Sequence, residues 1–222
     1  MTRLNSSPIL LVIDMQNGFC HPSGSFSKVG IPILRQAAIV PVIKRLIDLC
    51  HSTGIPVFYT RMEFSEDFSD AGIMIDSKPG LKQAKALVRE TWDSQILDDL
   101  RPEPYDGVVS KQRHSAFFGT DFHRVLSERG IDQIIATGVA TNICVESTVR
   151  DAWMYGIQSL TVQDATDTLS EKEYLASIIN LQHFGGTISS RELEEEFEKW
   201  SLLNGSNSSG HTKDVKEGSF VV

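Results

Sequence analysis

The amino-acid sequence predicts a three-layer α/β fold in which helices cover both faces of a mainly parallel, doubly wound sheet of about six strands. Three observations carry this reading. Short, wholly or almost wholly apolar runs, such as ILLVI at 9–13 and IIATGV at 134–139, read as strands buried on both faces. They alternate with helical stretches of roughly 10 to 15 residues, as right-handed crossovers between parallel strands require. A length of 222 residues suffices for one substantial core and does not demand a second domain.

The elements follow in order. Pro8 to Asp14 is an apolar run that ends in an acid, a first strand whose C-terminal end faces a functional edge. Ile39, Val42, Ile43, Leu46, Ile47 and Cys50 recur at helical spacing, and Gly54 stops that helix before a second strand at about Ile55 to Thr60. From Arg61 to Pro104 the pattern weakens, and this mixed stretch reads as an excursion over the sheet edge rather than part of the core. Regularity returns with a strand at Gly107 to Lys111, a helix at Asp121 to Arg129 and a strongly apolar strand at Ile131 to Gly138. Asn142 to Tyr155 suits a helix and Ile157 to Val162 a strand, while Ser170 with Glu173 forms a capping box that opens a helix to about His183. Gly186 to Ser189 supplies a last strand, and Glu192 to Trp200 a terminal helix. A single domain over 1–202 is expected, followed by a mobile polar tail over 203–222 that is rich in Ser, Gly, Asn and charge.

Composition narrows the partners. An apolar fraction of 41% and a charged fraction of 23% are ordinary for a globular protein and suggest neither disorder nor a membrane span. A net charge of −8, without clustered Lys and Arg, argues against a nucleic-acid surface and leaves small molecules as the expected partners. The N-terminal apolar run is shorter than a secretory signal needs. Cys20, Cys50 and Cys144 lie far apart, with neither disulfide-framework nor zinc-knuckle spacing, so a reducing cytoplasm is the expected location. Asn-x-Ser matches at Asn5, Asn204 and Asn207 would matter only in a secreted protein.

Three polar residues follow strand signals: Asp14 after ILLVI, Lys111 after GVVS, and Cys144 past IIATGVATNI. Parallel topology would bring them to one edge. A thiol near a helix N-terminus sees unpaired N–H groups and the positive end of the dipole, and Lys111 would add to this preference for thiolate. Asp14 could then take the thiol proton and deliver it to a leaving nitrogen, with Lys111 holding both in register. Spacing alone leaves the plainer readings open, with Cys144 a small core filler, Asp14 a turn cap and Lys111 a solvated charge.

The segments VIDMQNGF, SKQRHSAFFGTDF and ATGVATNICVESTVRDAWMYGI together resemble the isochorismatase-like cysteine hydrolases, over roughly residues 8 to 190. The resemblance implies a Rossmann-like sheet and a catalytic triad of Asp14, Lys111 and Cys144. It also implies a cis peptide between Val139 and Ala140, which would aim the Ala140 and Cys144 N–H groups at one oxyanion. The implied reaction is thiolate attack on a carbonyl carbon, loss of ammonia or an amine, and hydrolysis of a thioester. The nicotinamidase branch holds a metal through an Asp-x-His pattern after the second strand, where this chain has RMEFSEDFSD without histidine, so neither metal nor other cofactor is expected. The isochorismatase branch cleaves a vinyl ether without the cysteine, and the presence of Cys144 points away from that chemistry. Family members are commonly dimers or tetramers, so a homo-oligomer is expected, with Trp153 and Tyr155 placed either in the core or at a subunit interface.

Within the family, ATNICVESTVRD and KQAKALVRETWDSQILDDLRPEP most resemble ureidoacrylate amidohydrolases, and more loosely N-carbamoylsarcosine amidases. Gln83, His114 and Ile143 are the candidate substrate contacts from this likeness, and Phe19 and Phe117 are candidate pocket walls, with plain core packing the competing reading for the two rings. Arg61 could grip a substrate carboxylate through a bidentate pair, against the alternative that it is exposed or paired with Glu63. Gln16 and Asn17 could orient Asp14 or simply bond the strand-end turn. None of His21, His51, His123, His183 and His211 is assigned to metal or catalysis. The expected function is therefore cleavage of a linear ureido or carbamoyl C–N bond. The rivals are a hydrolase of biuret-like or simple amides, and a noncatalytic binding or redox-sensing protein with an oxidisable Cys144.

Overall fold

The computed structural model describes residues 4–205. Its centre is a six-stranded, all-parallel sheet formed by β1 (Pro8–Ile13), β2 (Val57–Met62), β3 (Gly107–Lys111), β4 (Gln133–Val139), β5 (Gln158–Asp167) and β6 (Thr187–Ile188). The spatial order is β3-β2-β1-β4-β5-β6. The chain thus winds outward from β1 in one direction and returns to add β4 on the other side, leaving a topological switch point between β1 and β4.

Why the central strands β1 and β4 are buried at every position follows from what covers them. Leu10, Val12, Val57, Tyr59 and Ile135 face one layer, which is closed by α1 (Gln36–Thr53) and by α5 (Ser190–Gly205) through Leu193 and Phe197. Ile9, Leu11, Ile13, Phe58 and Ile134 alternate with them and face the opposite layer. That layer is closed by α2 (Phe122–Glu128), α3 (Glu146–Met154) and α4 (Glu171–Leu181), through Phe122, Leu126, Val149, Ala152 and Leu181. Gly54 ends α1 at φ 75°, a left-handed position suited to glycine. Ser170 opens α4: its hydroxyl accepts the Glu173 N–H at 3.3 Å and donates to the Glu173 carboxylate at 2.6 Å.

Three expectations are corrected. First, the stretch from 61 to 104 is not outside the core. Phe64, Phe68, Ala71, Ile75, Leu81 and Leu87 are buried in the same cluster as β1 and β4, with Ile75 and Leu81 carried on short helices at Ile73–Ser77 and Pro79–Gln83. Its irregular path hides these residues from any periodicity, and Asp93 holds the path by accepting from the Ser25 N–H at 2.9 Å, the Ser25 hydroxyl at 2.6 Å and the Leu87 N–H at 2.8 Å. Second, β2 is shifted C-terminally and includes Arg61 and Met62, because Arg61 pairs with Ser110 and Met62 with Lys111 in the ladder. Third, β5 runs past Val162. A register irregularity opposite Ala136 to Gly138 is followed by renewed pairing of Gly138 with Thr166 and Val139 with Asp167, helped by the Thr166 hydroxyl donating to the Gly138 carbonyl at 2.7 Å. Of the expected polar tail at 203–222, residues 203–205 continue α5, and 206–222 lie outside the described residues. No helix among the described residues is long and apolar enough to cross a membrane.

Candidate active site

The C-terminal ends of β1, β3 and β4 deliver the three residues picked out by the sequence. Asp14 is the first residue beyond β1 and adopts φ 51°, a left-handed turn that aspartate tolerates and that redirects its carboxylate across β2. Lys111 is the last residue of β3, so its side chain passes over β2 to reach Asp14, and Nζ lies 2.7 Å from Oδ2. Both side chains are fully buried. A buried ammonium needs a counter-ion and further acceptors, and Nζ also donates to the Arg113 carbonyl at 3.1 Å. The other carboxylate oxygen of Asp14 accepts from the Thr60 hydroxyl at 2.6 Å, and the same hydroxyl accepts the Asp14 N–H at 3.1 Å.

Cys144 lies in a wide turn, Thr141–Val145, in which the Val145 N–H reaches back to the Ala140 carbonyl at 3.2 Å before α3 begins. The preceding Val139–Ala140 peptide is cis. Gly138, opposite Ile13 in the ladder, has φ 101°, and a Cβ there would come within 2.1 Å of the Ile13 carbonyl oxygen, so only glycine lets β4 approach β1 this closely. The thiol hydrogen-bonds the Asp14 carboxylate, and Sγ is 3.6 Å from Nδ1 of His114. The expected resting thiolate is not what this environment favours. Burial pushes the Cys144 thiol well up, the Asp14 carboxylate adds to the rise, and the opposing Lys111 ammonium only moderates it. At rest the sulfur therefore carries its proton and donates it to Asp14. Burial, with Lys111 next in weight, holds His114 below its ordinary value of 6.5, so at neutral pH its ring is uncharged.

Beside Cys144 opens a small, largely apolar cavity. Cys144, Ala140, Ile143 and His114 form one wall, and Phe19, Phe26, Ile31, Met74 and Leu81 much of the remainder. Other candidates lie elsewhere. Gln83 is solvent-exposed at the end of its short helix and does not border the cavity, because Leu81 is the residue that this helix turns inward. Phe117 is core: its ring meets Phe122 at 5.1 Å and Tyr155 at 5.4 Å between centroids. Arg61 is held by Glu63 at 2.8 Å, the plainer of its two readings. Gln16 binds strand ends together, with its amide donating to the Met62 and Ser94 carbonyls at 2.8 Å each and accepting the Met62 N–H at 2.8 Å. Asn17 donates to the Trp92 carbonyl at 2.9 Å. Thr60 and Lys78 were not among the sequence candidates. Thr60 carries no signal beyond being a polar residue inside an apolar run, and Lys78 sits in the stretch where periodicity failed. Among the described residues, no group of three or more His, Cys, Asp or Glu is placed to hold a metal ion.

The model of the isochorismatase domain matches residues 8–192, which include every strand of the sheet and Asp14, Lys111 and Cys144. The chain belongs to the isochorismatase family. A ureidoacrylate amidohydrolase of Caulobacter vibrioides is 33% identical over 194 residues, covering 81% of this chain and 86% of that protein. A cysteine hydrolase structure from Pseudomonas syringae pv. phaseolicola superposes with a TM-score of 0.82 at 28% identity, covering 90% of this chain and 97% of that one. The N-carbamoylsarcosine amidase structure from Thermoplasma acidophilum shares the fold, with a TM-score of 0.66 at 24% identity over 83% of this chain and 96% of that one. The chain is thus an isochorismatase-like hydrolase with a six-stranded parallel sheet.

Proposed function

We propose that this protein is a cysteine-dependent amidohydrolase that cleaves a linear ureido or carbamoyl C–N bond of a small molecule. The observation that carries the reading is the meeting of Asp14, Lys111 and Cys144, from three separate strand ends, beside a cavity whose wall includes Cys144. The 33% identity to a ureidoacrylate amidohydrolase supports the bond class.

The chemistry follows from the raised thiol. As a carbonyl carbon comes within reach, Asp14 accepts the sulfur's proton while the C–S bond forms, so that thiolate is produced only as it is consumed. Lys111 holds the carboxylate in place, with Nζ 2.7 Å from Oδ2. The carbonyl oxygen becomes an oxyanion, for which the Ala140 and Cys144 N–H groups are the donors in this reading. Collapse breaks the C–N bond, and the nitrogen leaves with the proton returned by Asp14. Water, deprotonated by the same carboxylate, then hydrolyses the thioester and restores the thiol. No step calls on a metal or other cofactor. The reading extends to a cytoplasmic homo-oligomer, for which the exposed Trp153, Met154 and Tyr155 offer an apolar contact.

The test is ammonia release from ureidoacrylate, N-carbamoyl amino acids, biuret and nicotinamide by the wild-type protein and by Cys144→Ala. Turnover of a ureido or carbamoyl compound that disappears in the variant is the expected result. Equal rates in the two proteins would reject nucleophilic catalysis by this thiol.

A further inference from the structure

We propose that Lys78 is a specificity-determining residue that receives a carboxylate of the substrate, and that the cavity selects amides in which this carboxylate and the scissile group are joined by an apolar body. The inference rests on the amidohydrolase reading for the identity of the scissile group, and on separate observations for the rest.

The first observation is the uneven chemistry of the cavity wall. Phe19, Phe26, Ile31, Met74 and Leu81 present rings and aliphatic chains, and among the lining residues Lys78 is the formally charged one. A short, wholly polar ureido compound would leave this apolar wall against water or against its own polar groups. An aromatic or branched aliphatic body would cover it, with each buried methylene worth roughly a factor of four in affinity. Met62 and Met74, both on the wall, are unbranched and can adapt to the shape of that body.

The second observation is that Lys78 is uncommitted. It is exposed, and among the described residues it forms no ion pair. Of the cations in this region, Arg61 pairs with Glu63, Arg89 with Glu63 and Asp70, Lys111 with Asp14, and Arg113 binds the carbonyls of Asp70 and Ala71, whereas Lys82, exposed and likewise without an ion pair among the described residues, does not border the cavity. Arg61, the sequence candidate for gripping a carboxylate, is therefore already neutralised, whereas Lys78 is free to do so. In a chain of net charge −8, a free ammonium at the mouth is the feature that would draw an anion to this opening.

The third observation is that Lys78 shares one cavity with the reactive group: Lys78, His114 and Cys144 all line it, and His114 lies 3.6 Å from the Cys144 sulfur. A molecule held against the thiol in this cavity therefore lies in the enclosure that Lys78 borders. Lys78 sits between two short helices, immediately before Pro79, which fixes the backbone from which its side chain extends.

The experiment compares N-carbamoylphenylalanine, its carboxamide and N-carbamoylglycine as substrates for the wild type, Lys78→Met and Lys78→Arg. Binding of the same compounds to Cys144→Ala and to Cys144→Ala combined with Lys78→Met is measured by calorimetry. In the wild type, kcat/KM is expected to be at least tenfold higher for N-carbamoylphenylalanine than for either its carboxamide or N-carbamoylglycine. Lys78→Met should reduce the carboxylate-over-carboxamide preference to less than twofold, through KM rather than kcat, and Lys78→Arg should retain most of it. The binding arm separates the two ideas. Tighter binding of the carboxylate that depends on Lys78, without turnover by any form, would overturn the amidohydrolase reading and leave Lys78 as an anion receptor. Binding and turnover that are indifferent to Lys78, or a wild type that prefers the glycine compound, would overturn this inference.

Discussion

The Thr60 hydroxyl holds Asp14 at two points, accepting its backbone N–H at 3.1 Å and donating to Oδ1 at 2.6 Å, which leaves Oδ2 directed at Lys111. Thr60 is completely buried on β2, the strand that separates β1 from β3. In the proposed reaction it would act through Asp14, as a positioning residue. Thr60→Val keeps the shape but leaves a buried carboxylate oxygen and an N–H unpaired, at about 1–3 kcal/mol. The expected outcome is a lower denaturation midpoint and a kcat reduced by about tenfold with KM little changed, because one hydrogen bond to a charged group is worth that order. Thr60→Ser should restore most of the loss. A Thr60→Val enzyme with wild-type kcat would show that Asp14 needs no such support.

Removing the Lys111 ammonium should be more severe. Lys111→Met leaves the Asp14 carboxylate buried without its counter-ion, a situation that costs about 3–5 kcal/mol. Turnover is expected to fall to background, and urea denaturation should show the loss. The double variant Asp14→Asn with Lys111→Met removes both charges and should recover part of the stability but none of the activity. If Lys111→Met alone were as stable as the wild type, the pair would not be the buried, mutually dependent one described here.

The protonated state of Cys144 has its own consequences. In the free protein, alkylation of this thiol by iodoacetamide should be slow at pH 7 and keep rising above pH 9.0, the ordinary thiol value, since burial raises it beyond that point. A rate already level at pH 7 would indicate a resting thiolate. Cys20 and Cys50 are raised by burial in the same way. Their sign is the same: below 9.0, folded and unfolded thiols are alike protonated, and above it the unfolded chain ionises while the folded one does not. The stabilisation is therefore fully present at neutral pH and declines as pH rises above 9.0 toward the folded values. Urea midpoints measured in reducing buffer should be lower at about pH 10 than at pH 7.5.

Gln83 and Arg61 give a contrast in the other direction. Gln83→Ala changes an exposed side chain outside the cavity and should leave KM within about twofold of the wild type. Arg61→Ala removes a partner of the buried Glu63, which Arg89 also approaches at 3.3 Å and Ser110 contacts at 2.8 Å. Its effect is expected in thermal stability, by about 1–2 kcal/mol, with substrate preference unchanged. A tenfold rise in KM for either variant would return that residue to the substrate site.

What the sequence by itself determined is what depends on near neighbours in the chain. The period of two, filled with apolar residues on both faces, marked ILLVI and IIATGV as central strands, and the Ser170–Glu173 spacing marked the start of α4. Parallel topology then sent Asp14, Lys111 and Cys144 toward one edge, since successive parallel strands end on the same side. Tertiary structure alone decided matters that depend on residues distant in sequence. Thr60 meets Asp14 across 46 positions, and Lys111 meets it across 97. The excursion from 61 to 104 folds into the core through contacts without a repeat, and its hydrophobic residues had no local signature to betray that. The state of the thiol was likewise beyond the sequence, which shows a cysteine ahead of a helix but not the depth of its burial or the carboxylate placed against it. Local spacing is fixed by backbone geometry and can be read directly; burial and charge pairing are sums over the whole packed chain, and they exist only once it has folded.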